Sequence, residues 1–183
     1  MLVGHLVLPY TSIKELGNLK FIIGKMEKIL KIPYAVFNDW DLLQQFLERR
    51  GNPRYEIVGN VDLRGKKDII DLGNLVRVDG DLYLNYTPIE SLGNLVRVED
   101  NLAVNRTPIK SLGNLQYVGG YLDLESTPIK TLNNLEYVGG ELNLIGTQIK
   151  FLGNLKKVDG IIFLSKNHNI PEKELTKFKI EYI

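Results

Sequence analysis

A phrase that recurs every 20 residues constrains this chain more than any other feature. The motif Leu72-Gly73-Asn74-Leu75 returns at residues 92–95, 112–115, 132–135 and 152–155, with Asn133 as the one change. A Thr-x-Ile motif keeps the same step and begins at Thr87, Thr107, Thr127 and Thr147. A fixed short period is typical of a solenoid, in which each turn buries its apolar side against its neighbours. The repeat therefore predicts the fold directly and the function only indirectly.

Each turn also contains a stretch in which apolar and polar residues alternate, such as Leu82-Tyr83-Leu84 and Leu122-Asp123-Leu124. This alternation predicts a strand with one buried face. One such strand per turn forms a parallel sheet, in which neighbouring strands lie about 4.8 Å apart. The pattern therefore predicts a rod of about seven turns, roughly 30 Å long.

The repeat divides the chain into a single domain, residues 1–183, with four parts. Residues 4–24 match the repeat and predict a first solenoid turn, whereas residues 25–54 lose the period and predict a helical insertion that caps the N-terminal end. Residues 55–170 carry the repeat array, and residues 171–183 predict a C-terminal cap. A chain of 183 residues has the length of one domain.

The insertion predicts two helical segments. Residues 25–31 are expected to form one or two helical turns that Pro33 ends, and Asn38 is expected to cap a second helix over residues 39–50. The second helix has an apolar stripe of helical period, formed by Trp40, Leu43, Phe46 and Leu47. The stripe either packs on the exposed edge of the first turns or, with Phe37 beside the only tryptophan of the chain, forms a partner surface.

Three columns of repeated residues have structural tasks. The asparagines of the Leu-Gly-Asn-Leu motif either stack as an amide ladder or hold a left-handed turn beside glycine. The threonine hydroxyls are expected to bond backbone carbonyls at the bend, with their methyl groups facing the core. Glycines before the strands are expected to let the chain turn sharply, at Gly80, Gly120, Gly140 and Gly160. Function is therefore expected in the variable positions.

These motifs resemble the leucine-rich repeat, in a short 20-residue form with threonine where asparagine usually stands. The phrase from Val138 to Leu144 also resembles the receptor L-domain variety, whose fold is closer to a right-handed parallel β-helix. The fold expected is thus an α+β repeat solenoid of one of these two kinds. The resemblance implies a protein-binding scaffold without shared catalytic residues. In the family that the motif resembles, this repeat sequence is frequent in predicted bacteriophage and environmental bacterial proteins. The resemblance therefore implies a viral protein that acts in the host cytoplasm.

Residues 20 apart stand side by side on consecutive strands, so the variable positions form columns. The outward strand column combines tyrosine with carboxylates, and Tyr86 and Arg106 border it. A face of this kind is typical of protein binding, and the alternative is a merely solvated sheet. The residues predicted to bind a partner protein are Tyr83, Tyr86, Arg106, Tyr121, Asp123 and Glu125 on this face, with Trp40 and Phe37 in the insertion.

A second face carries a basic row, formed by Arg77, Arg97, Tyr117, Tyr137 and Lys157. Such a row could follow an anionic polymer, but Glu90 and Glu136 interrupt it and the net charge is only +1. A solvated charged face is therefore expected, without nucleic acid as a partner. The apolar start of the chain, residues 2–8, is too short to cross a membrane, so a cytoplasmic location is expected.

The sequence contains few of the cysteine and histidine residues that enzymes commonly use as nucleophiles, bases or metal ligands. There is no cysteine, and the two histidines, His5 and His168, lie at opposite ends of the predicted rod. No enzyme activity, metal or cofactor is therefore expected. Asp123 and Glu125 are a carboxylate pair of the kind that glycosidases use, but no sequence feature indicates a raised pKa. The prediction is a non-enzymatic protein-binding scaffold that blocks or recruits a host protein; a glycan-binding or glycan-cleaving β-helix and a structural virion component are the alternatives.

Overall fold

The computed structural model describes residues 29–34 and 39–183. These residues form a parallel β-solenoid of about six turns with few helices. The first turn predicted at residues 4–24 lies outside the described residues. Each turn contributes a strand to each of two sheets, whereas the sequence predicted one strand per turn. The additional strand arises because pairs such as Arg97-Val98 are also extended, with the valine buried and its neighbour facing outward.

Both sheets are parallel and have seven strands in the described part of the chain. The first sheet contains, in spatial order, β1 (Leu30–Pro33), β2 (Tyr55–Val58), β4 (Leu75–Asp79), β6 (Arg97–Val98), β8 (Tyr117–Val118), β10 (Tyr137–Val138) and β12 (Lys157–Val158). The second sheet contains β3 (Val61–Asp62), β5 (Leu82–Tyr83), β7 (Leu102–Ala103), β9 (Leu122–Asp123), β11 (Leu142–Asn143), β13 (Ile161–Leu164) and β14 (Lys179–Tyr182). Tyr83, Ala103 and Asp123 are direct partners in this register, so the predicted columns exist.

The core lies inside the turns and is built from the fixed positions of the repeat. Leu92, Leu95 and Val98 are fully buried, as are their equivalents in the neighbouring turns. At the bend after the second strand, Thr107 Oγ1 donates to Val104 O at 2.6 Å, and Thr87, Thr127 and Thr147 make the same bond. The role predicted for the threonine hydroxyls is therefore confirmed.

At the corner before the first sheet, the left-handed turn is held by the glycine position of the motif and not by the asparagine that follows it. Glycine holds the left-handed conformation, as at Gly93 with φ of 56°, and Asn133 replaces it with φ of 49°. The following asparagine bonds to the preceding turn: Asn94 Nδ2 donates to Asn74 Oδ1 at 3.1 Å, whereas Asn134 Nδ2 donates to Gly113 O at 3.3 Å. The amide ladder is thus limited to part of the column.

The chain bends at the glycines before the second-sheet strands, as predicted. Only Gly80 has a positive φ, at 156°, so backbone conformation does not explain why glycine stands at Gly120, Gly140 and Gly160. Instead, a Cβ at Gly140 would lie 2.9 Å from Tyr121 N, and one at Gly160 would lie 2.7 Å from Gly140 C. Glycine is required here because successive turns approach closely.

At the N-terminal end, residues 30–33 form strand β1, whereas helical turns were predicted up to residue 31. Pairing in register with Tyr55–Val58 overrides local propensity, and Pro33 is tolerated because β1 is at the edge of the sheet that the described residues form. Helix α1 spans Trp40–Glu48, within the predicted range of residues 39–50. Its N-cap is Asp39 rather than the predicted Asn38, because Asp39 Oδ1 accepts from Asp41 N at 2.9 Å and Leu42 N at 3.1 Å.

At the C-terminal end, helix α2 (Glu172–Leu175) lies over the last turn and buries Leu175. Glu174 Oε2 accepts from Leu152 N at 2.9 Å, and Lys177 Nζ donates to Leu155 O at 3.0 Å. These side chains replace the hydrogen bonds that a further turn would supply. Strand β14, which the sequence did not predict, extends the second sheet beyond β13.

Candidate protein-binding face

The outward surface of the second sheet is the candidate site, and we call it the strand face. It consists of the exposed and half-exposed residues on and beside β3, β5, β7, β9 and β11. Its central column is Asp62, Tyr83, Ala103, Asp123 and Asn143, which are successive partners in the parallel register. The sheet therefore holds these side chains at fixed spacing, one strand apart.

A ridge borders the strand face where the chain leaves each strand, and it contains Tyr86, Arg106 and Ser126. All three have left-handed backbones, with φ of 62°, 56° and 56°. Gly65 and Gly146 occupy the same place in other turns, with φ of 70° and 69°. A residue other than glycine costs about 1 kcal/mol or more in this conformation. Tyr86 is also 49% exposed, so burial does not compensate for this cost.

The two large ridge residues contact each other. Arg106 Nη1 donates to Tyr86 OH at 3.0 Å, and its guanidinium carbon lies 5.6 Å from the centre of the Tyr86 ring. Arg106 also lies 3.8 Å from a carboxylate oxygen of Glu125. Lys67 Nζ donates to Tyr86 O at 3.2 Å. The structure therefore brings together Tyr86, Arg106 and Glu125, which the columns of the repeat predicted. It also adds Lys67, which the sequence analysis did not single out. Lys67 lies between Leu63 and Ile69, where this turn has one residue more than the turns that follow.

Tyr83 lies near Tyr121 and Asp81 on the strand face. Burial raises the pKa of Tyr83 to about 12, and the neighbouring Tyr121 and Asp81 act in the same direction. Asp81 Oδ1 accepts from Asn101 N at 3.0 Å, and Asn101 Oδ1 accepts from Tyr121 N at 2.9 Å. These bonds fix the backbone beside both tyrosines.

Asp123 is half-buried at the centre of the strand face. Burial is the largest cause that raises the pKa of its carboxyl, and the nearby charge of Glu125 adds to it. The hydrogen bond from Glu125 N to Asp123 Oδ1, at 3.0 Å, acts in the opposite direction. No sequence feature indicated this rise in the pKa of Asp123, because the burial that causes it depends on neighbouring strands.

Three carboxylates of the strand face have no cation within 4 Å among the described residues: Asp81, Asp123 and Glu141. Asp62, by contrast, is paired with Arg64, whose Nε lies 2.9 Å from Asp62 Oδ1. The guanidinium carbon of Arg64 also lies 5.2 Å from the centre of the Tyr83 ring.

Of the two insertion residues predicted to bind a partner, only Trp40 is among the described residues, and it does not lie on this face. Trp40 is only 4% exposed, and it packs into the core with Leu43 and Leu47. Packing, one of the two roles considered for the apolar stripe, is thus the role that the structure shows for Trp40. Phe37 lies outside the described residues.

The basic row on the first sheet forms a continuous stack. The guanidinium carbon of Arg97 lies 3.4 Å from the centre of the Tyr117 ring, and the Tyr117 and Tyr137 rings are stacked with their centres 4.9 Å apart. Lys157 Nζ lies 5.6 Å from the centre of the Tyr137 ring. The ring faces are therefore occupied by neighbouring side chains.

Acidic residues pair with the cations of the same row. Arg77 Nη2 lies 2.8 Å from Glu99 Oε1, and Lys157 Nζ lies 2.7 Å from Asp159 Oδ1. Glu90 and Glu136, which interrupt the row in the sequence, pair at 2.7 Å with Lys110 and Lys156. These cations are already compensated within the chain, which agrees with a solvated face better than with one that follows an anionic polymer.

Across residues 29–34 and 39–183, no group of three or more His, Cys, Asp or Glu side chains is arranged to hold a metal ion. In the same part of the chain, no helix has the length and apolar character needed to cross a membrane. His168 is half-buried at the C-terminal end, and its ring stacks on Tyr182 with the ring centres 5.5 Å apart. His5 lies outside the described residues.

The fold defines the class of protein: a parallel β-solenoid built from short sequence repeats. No known protein family, curated protein or solved structure matches the chain. Its function is therefore argued from its own geometry.

Proposed function

We propose that this chain is a non-enzymatic protein-binding scaffold, in which the strand face and the ridge contact a partner protein. The observation that carries the proposal is the pair Tyr86 and Arg106, two large exposed side chains on left-handed backbone. Folding alone favours glycine at these places, and Gly65 and Gly146 show that glycine is accommodated there. A cost to folding that no burial offsets is typical of residues retained for contact.

The chemistry of the ridge and the strand face supports the same proposal. Tyrosine and arginine dominate the energetics of many protein interfaces, since they combine a large contact area with hydrogen-bonding groups. Tyr86 and Arg106 are joined by their hydrogen bond of 3.0 Å. The backbone beside Tyr83 and Tyr121 is held by the hydrogen bonds from Asn101 N to Asp81 and from Tyr121 N to Asn101. Such pre-organisation lowers the entropy lost on binding.

The resemblance to leucine-rich repeats extends the proposal. On this basis the chain is a leucine-rich-repeat-like scaffold of about seven turns, with its first turn at residues 4–24. It is a phage-encoded protein that acts in the host cytoplasm and blocks or recruits a host protein. The paired charges of the first sheet support a partner on the strand face rather than on the opposite row.

The test compares affinity purifications from cells that naturally contain the protein. The double variant Tyr86→Gly/Arg106→Gly removes both side chains and leaves a residue suited to the backbone. Ser126→Gly is the matched control, because Ser126 has the same conformation with φ of 56° and a small side chain. A partner retained by the wild type and by Ser126→Gly but lost by the double variant supports the proposal. Equal retention by all three proteins contradicts it.

Glycan cleavage is a second candidate function, and one observation favours it: the raised pKa of Asp123, which a general acid requires. Asp123 lies beside Glu125 on the same open face. A reducing-end assay on a panel of bacterial polysaccharides separates the two functions. Release of reducing ends by the wild type and not by Asp123→Asn supports cleavage; no release by either protein contradicts it.

A further inference from the structure

We infer that the partner presents a basic segment, rich in arginine or lysine, to the strand face. This inference rests on the proposed function, since it specifies the chemistry of the partner at the same surface. It follows from the distribution of charge on the face and from the position of its tyrosines.

The strand face is negatively charged although the whole chain carries a net charge of +1. Its acidic residues are Asp62, Asp81, Asp123, Glu125 and Glu141, and its basic residues, with the ridge and its contact Lys67 included, are Arg64, Lys67 and Arg106. Five carboxylates against three cations leave a local net charge of −2. Asp62 and Glu125 have guanidinium partners, whereas Asp81, Asp123 and Glu141 have none among the described residues.

A partner that covers this face removes water from those carboxylates. Burying a carboxylate without a cation is costly, because the lost hydration is not replaced. Asp81 and Asp123 already accept hydrogen bonds from the backbone amides of Asn101 and Glu125, and the charge of Arg106 acts on Asp123 from a longer distance, but neither carboxylate has a cation within 4 Å among the described residues. The partner therefore has to supply the cations.

The tyrosines make the same surface suitable for cations. Tyr83 lies near both Asp81 and Tyr121, and aromatic rings attract ammonium and guanidinium groups. The chain itself shows this contact at Tyr83, where Arg64 approaches the ring at 5.2 Å. On the first sheet, by contrast, acidic residues pair with the cations of the same chain, so the two sheets differ in how their carboxylates are paired.

The neutral-face variant Asp81→Asn/Asp123→Asn/Glu141→Gln tests the inference with little risk to the fold. Asn101 occupies the column of Asp81 and accepts the same kind of backbone bond, from Tyr121 N at 2.9 Å. Asn143 occupies the column of Asp123 and accepts from Ile145 N at 3.1 Å. The matched control is Glu90→Gln/Glu136→Gln/Glu172→Gln, which removes the same charge away from the strand face.

The probe is a displayed library of random linear peptides, selected on the immobilised full-length protein. We expect the enriched peptides to contain arginine and lysine in excess. Their affinity should fall at least about tenfold on the neutral-face variant, stay unchanged on the control, and weaken at high ionic strength. Enriched peptides without excess basic residues, or with equal affinity for the neutral-face variant, would overturn the inference.

The ridge variant Tyr86→Gly/Arg106→Gly separates this inference from the proposed function. If the selected peptides lose affinity for the ridge variant but bind the neutral-face variant normally, the proposed function stands and the inference fails. If no peptide distinguishes the wild type from either variant, both fail.

Discussion

At the scale of single residues, the fold depends on how closely one turn approaches the next. Gly93 and Gly113 illustrate this, because they share a motif position and nearly the same backbone, with φ of 56° and 58°. A Cβ at Gly93 would meet nothing within 4 Å, whereas one at Gly113 would collide with the backbone of Gly93. Substitutions at the two glycines therefore separate the free-energy cost of a left-handed backbone from the cost of steric crowding.

We expect Gly93→Ala to lower the free energy of unfolding by about 1 kcal/mol, which is the cost of a left-handed alanine. Gly113→Ala should lower it by at least about 2 kcal/mol more, since the new methyl group displaces packed backbone. Chemical denaturation of both variants measures the difference. Equal losses would show that the turns are less closely stacked than the structure indicates.

Asp123 gives a prediction about pH. A carboxyl whose pKa is raised by folding stabilises the protein below its ordinary pKa, and that contribution is lost as the pH rises through the raised value. Ionised Asp123 should therefore be unfavourable at neutral pH. We expect Asp123→Asn to be more stable than the wild type at neutral pH, with the difference shrinking as the solution is acidified. Unfolding free energies across this range provide the measurement, and a constant difference would contradict the assignment.

At the scale of elements, the repeat predicted the second-sheet strands well because alternation such as Leu82-Tyr83-Leu84 is a local signal. Four strands of the first sheet, β6, β8, β10 and β12, were missed because each spans only two residues, as at Arg97-Val98, which is too short to show a period. Strand β1 was missed for another reason: its conformation depends on pairing with β2, which local sequence does not encode. Strand β14 likewise depends on β13.

The C-terminal cap is joined to the last turn by a hydrogen bond from the backbone to a side chain. Glu174 accepts the hydrogen bond of Leu152 N, in place of a further turn. We expect Glu174→Ala to speed hydrogen exchange at the Leu152 amide by roughly tenfold, since a bond to a charged acceptor is worth more than 1 kcal/mol. Lys173→Ala, on the same helix, is the control and should leave that amide unchanged. Equal exchange in the two variants would mean that Glu174 does not cap the solenoid.

At the scale of the whole molecule, the solenoid presents two sheets of opposite character. The first sheet pairs its charges within the chain, through contacts such as Arg77 with Glu99, whereas the strand face has three carboxylates without a cation within 4 Å among the described residues. The alignment of residues 20 apart on neighbouring strands was predictable from the sequence, because the 20-residue period of the repeat is constant. The left-handed backbone at Tyr86 and Arg106 and the partial burial of Asp123 were not, because they arise from contacts between turns.

Tyrosine side chains report directly on binding through the strand face, because both sheets carry tyrosines and only those of one sheet should be covered. The measurement is hydroxyl-radical footprinting of tyrosine side chains in the free protein and in its complex with a captured partner. Tyr83, Tyr86 and Tyr121 should be protected in the complex, while Tyr117 and Tyr137 on the first sheet should react as in the free protein. Protection of Tyr117 and Tyr137 alone would contradict the account.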